Sequence, residues 1–362
     1  MPALRHSPLD DRHRALGATM TGFGGWDMPL DYGSVVAEHR AVREGCGVFD
    51  LSHLGTLRVT GPGAQACLRR ALSNDVTALP VGRAHYTLCL DDDGGITDDL
   101  LVYRLDWGYF AVPNAANAAA VQAALAAAAG DGDCEVADVK DGLACVAVQG
   151  PQSAAVLARA GIAVDGLDYL DCRPQPSGAP PPPAGGLLAR SGYTGERGYE
   201  LFLPAADTGA LWDRVIESGA TPAGLGCRDT LRLDMGYPLH GQDISPATSP
   251  VEARLGWAVK GTGFVGQEAV ALAKEAGPAR RLWGLRTTGR GIPRAGCAVG
   301  RDGESVGEVT SGTFSPTLRI GVAMGYLSAS VAAGDAVEID VRGKRVPAEV
   351  VRPPFVDASP KD

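Results

Sequence analysis

Asp98 and Asp99 stand side by side at the start of an apolar run, GGITDDLLVYRL. Side chains alternate across a strand, so an extended run turns one of the two inward. An inward carboxylate is costly unless it is paired or put to use. Its chemistry would be proton transfer or stabilisation of a developing cation. The other reading is a structural acid held by N–H groups. Arg228, in GLGCRDTLRLDMG, follows a glycine-rich turn. A guanidinium there can cap a helix, pair with a nearby Asp, or clamp a carboxylate or another planar acceptor edge in a bidentate way.

The remaining motifs offer less. GTGFVG, residues 261–266, matches GxGxxG, but no Asp or Glu follows about 20 residues later to hold a ribose. It reads as a glycine-rich entry to a helix. DDDGGITDD, residues 91–99, fails the calcium-loop spacing, because Gly95 and Val102 occupy the fifth and twelfth positions. Asp91 to Asp93 read instead as a solvated hairpin tip. The six histidines form no HxxH or HExxH, so no metal site is expected. GxSxG and the phosphate-binding GxxxxGK[ST] are both missing.

These residues need a scaffold, and 362 residues suffice for two or three domains. With 45% apolar and 21% charged residues, the chain is neither disordered nor fibrous. A net charge of −9 without a Lys/Arg run disfavours nucleic acid and an anionic membrane surface. Eight scattered cysteines without a CxxC pair fit a reducing compartment, so a cytoplasmic location is expected.

Along the chain, TLRVTGPGAQACLRRAL (56–72) and ACVAVQGPQSAAVLARA (144–160) echo each other. Each is a strand pattern, Gly-Pro, then a helical stripe, with Pro62 and Pro151 expected in the first helical turn. Residues 85–105 read as a hairpin, GYFAVP as a third strand, 114–129 as an Ala-rich helix and 210–217 as another. Residues 189–204 read as strand, turn, strand. The stretch PQPSGAPPPPAGG, residues 174–186, reads as an exposed polyproline-like loop. Beyond residue 277, six short β runs spaced by Gly, Pro and Asp predict a small antiparallel barrel or jelly roll.

Taken together, several segments closely resemble one family, the aminomethyltransferase (T protein) of the glycine cleavage system. They include GFGGWDMPLDYG, EHRAVREGCGVFDLSHLG, GGITDDLLVY, VPNAAN, SGYTGERGYE, GLGCRDTLRLDMGYPLHGQDI, TSGTFSP and RPPFV, in order from about residue 8 to 356. The resemblance implies an α+β fold with three domains in a cloverleaf around a central folate channel and a C-terminal antiparallel β barrel. The boundaries expected are 1–275, split into 1–55 plus 140–275 and 56–139, then 276–356 for the barrel and 357–362 for a tail. It implies tetrahydrofolate as co-substrate, no metal, and the lipoylated H protein as partner. The aminomethyl carbon would pass to the folate with release of ammonia.

The resemblance also assigns roles. Asp98 becomes the catalytic carboxylate beside the folate nitrogens. Glu200 and Arg228 hold the pterin, Tyr86 and Tyr193 pack along the folate, and Asn114 lies near the channel. Lys361 is the only cation close to the chain end for the folate tail. Two departures stand out: Leu54 where the family usually has Met, and His240 where many members have Tyr. Related demethylases would keep the same folate residues. A non-enzymatic folate-binding relative would carry a Cys in a KGCYxGQE-like segment, and KGTGFVGQE has none.

Overall fold

The computed structural model describes residues 3–174 and 186–362. The proline-rich stretch expected as an exposed loop, with Pro180 to Pro183, lies outside the described residues except at its two ends. The N-terminal segment contributes β1 (Arg5–His6), α1 (Asp10–Ala15), β2 (Thr19–Phe23), β3 (Trp26–Asp31), α2 (Val35–Glu44) and β4 (Gly47–Asp50). A first unit follows: β5 (Leu57–Thr60), α3 (Ala64–Ala71), β6 (Arg83–Leu90), β7 (Ile96–Leu105), β8 (Gly108–Val112), α4 (Ala118–Ala129) and β9 (Glu135–Asp138). A second comprises β10 (Leu143–Gln149), α5 (Ser153–Arg159), β11 (Cys172–Pro174), β12 (Leu187–Ala189), β13 (Gly198–Pro204), α6 (Ala205–Glu217) and β14 (Thr221–Pro222). Then come α7 (Leu225–Asp234), α8 (Gln267–Ala276) and six further strands.

The echo in the sequence is an echo in topology. The first unit's sheet runs β6-β7-β8-β5-β9, and the second runs β11-β12-β13-β10-β4-β14. Both place the strand of the echoed motif fourth. Beside it the first sheet uses its own β9, and the second borrows β4 from the N-terminal segment. The two Gly-Pro turns differ from expectation in one detail. Pro62 and Pro151 stand two residues ahead of their helices, which begin at Ala64 and Ser153. The glycines explain why. Gly61 has φ +97 and Gly150 φ +128, and a Cβ on either would sit 2.4 Å from a backbone carbonyl oxygen, of Asp133 and Gly45 respectively. The chain must complete this tight left-handed turn before it can coil.

The sheets pack face to face. β10 reads LACVAVQ and is buried throughout, as a central strand covered on both faces must be. Its Leu143, Cys145 and Ala147 join Tyr103, Leu105 and Phe110 of the other sheet and Phe202 in one inter-sheet core. Its Val146 and Val148 face α5 and α6, against Val156, Leu157, Leu211 and Trp212. Behind the first sheet, Leu100 and Val102 pack on α3 and α4 through Cys67, Leu68, Val121 and Leu125. The order of layers is helices, sheet, sheet, helices.

The six predicted C-terminal strands are all present: β15 (Arg280–Thr287), β16 (Ala298–Arg301), β17 (Glu304–Ser315), β18 (Ile320–Ser328), β19 (Ala336–Val341) and β20 (Lys344–Val351). They close in the order β15-β18-β17-β16-β19-β20, antiparallel throughout. A buried polar bridge ties the barrel to α7. Arg232 donates to Asp243 (2.6 Å) and to the Ser311 hydroxyl (2.8 Å), and Ser311 also donates to Asp243 (2.9 Å).

Candidate active site

β7 decides where the acidic pair points. Asp98, Leu100 and Val102 lie on the face that packs on α3 and α4, and Asp99, Leu101 and Tyr103 lie on the face toward the second sheet. Asp98, the expected catalytic residue, is fully buried and saturated. Its Oδ2 accepts from the Asn114 backbone N–H (3.0 Å), and its Oδ1 accepts from the side-chain amides of Asn114 (2.8 Å) and Asn117 (2.7 Å). Asp99 is partly exposed. Its Oδ1 accepts from the Asn114 amide (3.0 Å) and its Oδ2 from the Tyr86 hydroxyl (3.0 Å). No further hydrogen bond reaches either carboxylate oxygen of Asp99 among the described residues. Asp98 thus lies against α3 and α4 within a closed set of hydrogen bonds, and Asp99 meets the interior between the sheets.

Burial pushes the carboxyl of Asp98 up to about 7, and the charge of Asp99 adds to the effect. Burial also raises the carboxyl of Asp99, while the Tyr86 hydroxyl and His240 pull the other way. The two acids titrate as a coupled pair. His240 closes this network. Its Nδ1 accepts from Asn117 (2.9 Å) and its Nε2–H donates to the Ile96 carbonyl (3.0 Å), which fixes the tautomer. Asn117 therefore links His240 to Asp98. Only its repetition of Asn114 three residues on, in the loop leading into α4, could have flagged it from sequence.

The residues expected to hold the pterin come from the second sheet and α7. Glu200 follows the inward register of β13, opposite Ala147 and Ala189. Its Oε2 accepts from Ser191 and from the Tyr103 hydroxyl (3.3 Å). Its Oε1 has no hydrogen-bond partner among the described residues. Arg228 makes no ion pair among the described residues, and its buried Nη1 is unpartnered. Its guanidinium lies 4.8 Å from the centroid of the Tyr193 ring. Burial lowers its pKa, while Glu200 and Tyr193 act against that shift. Glu200 and Arg228 thus feel each other's charge without touching.

Aromatic rings complete the group. Tyr193 packs on Tyr237 at 5.6 Å and donates its hydroxyl to the Pro238 carbonyl. Burial raises the Tyr169 phenol and the charge of Glu200 adds to it, and Tyr169 in turn adds to the burial that raises Tyr237. Tyr86 stacks on Trp257 at 5.1 Å with planes 25° apart. Tyr103, Tyr169, Tyr237 and Trp257 were not singled out by sequence, since isolated aromatics carry no spacing signal. The Lys361 side chain is exposed, and the Lys361 carbonyl accepts from Arg190 Nη2 (2.9 Å).

Residues 9–263 match the family model for the GCVT N-terminal domain, and residues 280–357 match that for the glycine cleavage T-protein C-terminal barrel domain. The chain belongs to the glycine cleavage T-protein family. It is 51% identical to an aminomethyltransferase of Frankia alni, with all of both chains covered. It is 48% identical to an aminomethyltransferase of Mycobacterium avium over 98% of this chain and 97% of that one. The crystal structure of a glycine cleavage system aminomethyltransferase T from Bartonella henselae superimposes with a TM-score of 0.92 at 37% identity, covering 98% of this chain and 99% of that one. A T-protein fold accounts for both the paired sheets and the closed barrel.

Proposed function

We propose that the protein transfers the methylene carbon of an aminomethyl group, carried on the lipoyl arm of the H protein, to tetrahydrofolate. Ammonia and 5,10-methylenetetrahydrofolate are released. The observation that carries this reading is a matched pair of unspent groups. Glu200 keeps its Oε1 free and Arg228 its Nη1 unpartnered, and Tyr193, over which Arg228 lies, is within range of the charges of both Arg228 and Asp99. A pterin edge presents adjacent N–H donors and a carbonyl acceptor, which suits a carboxylate and a guanidinium. Tyr193 and Tyr237 offer flat faces for the ring.

The catalytic role given by resemblance to Asp98 passes, on this geometry, to Asp99. The carbon must leave sulfur while its amine departs as ammonia, and it is captured by folate nitrogen. A fixed carboxylate can orient the attacking N–H, take its proton and offset positive charge on the carbon. Asp98 acts through others: it fixes Asn114, and Asn114 fixes Asp99. All eight cysteines are free thiols, which supports a cytoplasmic site of action. No helix among the described residues is long and apolar enough to cross a membrane.

The test is to mix the protein with aminomethylated H protein and tetrahydrofolate and to follow ammonia. Release that depends on both substrates is expected. No release, with folate binding intact, would sink the reading.

A further inference from the structure

The chain is acidic overall, yet one face gathers arginines without acidic partners, although Arg254 Nε donates to the Leu282 carbonyl (2.8 Å). Arg254 and Arg352 both aim at the Trp283 ring, with Cζ at 3.7 Å and 6.0 Å from its centroid. Arg281 is exposed beside them and, with Arg352, disfavours the charge on Arg254, whose burial is the larger cause. Next to this group, Arg280 covers Tyr326 at 4.7 Å and pairs with Glu252 at 3.2 Å. Arg254, Arg281 and Arg352 make no ion pair among the described residues. Arg254 also holds a left-handed backbone, φ +59, which is strained for a residue with a Cβ. Packing of one indole needs neither three like charges nor that strain.

Position supplies the reason. Arg254 stands three residues before Trp257, which is 56% exposed. Trp257 stacks on Tyr86, and Tyr86 donates to Asp99. Indole, phenol and carboxylate thus lead from the surface to the reacting group, and the arginines begin at the outer end of that line. A carrier seated against this rim would bring its tethered arm to Trp257 and, past Tyr86, toward Asp99. The exposed Arg281 and Arg352 can meet carboxylates there without giving up an ion pair.

We propose that the face formed by Arg254, Arg281 and Arg352 docks an acidic surface of the lipoyl-bearing carrier, whose arm enters beside Trp257. This rests on the transfer reaction proposed above. The test compares the native protein with the double variant Arg281→Glu/Arg352→Glu, both positions being exposed and outside the site. The KM for aminomethylated carrier should rise about tenfold or more, equivalent to about 1.4 kcal/mol. The kcat, the KM for tetrahydrofolate and the rate with soluble aminomethyl-dihydrolipoamide should stay within twofold. Added salt should raise the native KM for carrier more than the variant's.

An unchanged KM for carrier overturns the proposal. A rise in the KM for tetrahydrofolate instead overturns it too, and assigns these cations to the folate's carboxylate tail. If the native protein releases no ammonia from either donor, the reaction reading falls. Calorimetric titration of carrier into native and variant protein then decides docking alone: weaker binding by the variant supports it, and equal binding overturns it.

Discussion

The two packed sheets share one strand order but carry different chemistry. The first presents carboxylates: Asp99 on β7, with Asp98 behind it and the two asparagines leading into α4 as scaffolding. The second, with α7, presents recognition groups, Glu200 and Arg228. In the first, the polar groups are bound into one network around the acids, leaving only the open side of Asp99. In the second, Glu200 Oε1 has no partner and the buried Nη1 of Arg228 is unpaired, which for the buried group is costly unless a ligand meets it. One half holds its reacting group still, and the other is incomplete until something binds.

That contrast can be broken by mutation. Asp99→Asn should lower kcat about 10²–10⁴-fold, the scale of a lost general base, with folate affinity within a few-fold. Asp98→Asn should cost less than tenfold in kcat but destabilise the fold by about 1–3 kcal/mol, because the new amide keeps one acceptor oxygen and turns an NH2 group toward the N–H donors that met the other. If Asp98→Asn alone abolishes turnover in a folded protein, the assignment reverses. Denaturant melts and steady-state rates decide between them.

Gly61→Ala and Gly150→Ala probe what the two halves share. Each should destabilise by about 1–3 kcal/mol or more, since φ is positive and the new Cβ meets a carbonyl oxygen. A tolerated substitution at either would mean that its turn relaxes easily. On the recognition side, Arg228→Ala and Glu200→Ala should each weaken tetrahydrofolate binding about 10–100-fold, matching about 1.5–3 kcal/mol for a charged hydrogen bond. Unchanged affinity for both would place the pterin elsewhere.

The smallest effect concerns pH. The folded carboxyls of Asp98 and Asp99 are raised above their unfolded values, so the folded state holds protons longer. Stability should therefore fall as pH rises from the ordinary carboxyl range through about 7, and Asp99→Asn should flatten that slope. The Asn117 hydrogen bond opposes the rise on Asp98. Asn117→Ala should consequently move the acid limb of kcat/KM to higher pH. A shift to lower pH would disconnect Asn117 from the pair.

Much of this was legible in the residues. The alternation in ITDDLLVYRL marks a strand with one acid on each face, the Gly-Pro echo marks two related units, and the punctuation after residue 277 marks the barrel. These are local signals, carried by period and turn chemistry. Which acid faces the reaction was not legible. Alternation says that one of the pair turns inward, but β7 is buried on both faces, with helices on one side and the second sheet on the other. The same ambiguity hid Asn117, Trp257 and the unpaired arginines. Their meaning lies in neighbours from distant segments. Sequence set the strands and which side chains share a face, because those follow from backbone geometry within a few residues. The packing of sheet on sheet decided which face could become a site, because only across it do Asp99 and Arg228 both come within range of Tyr193.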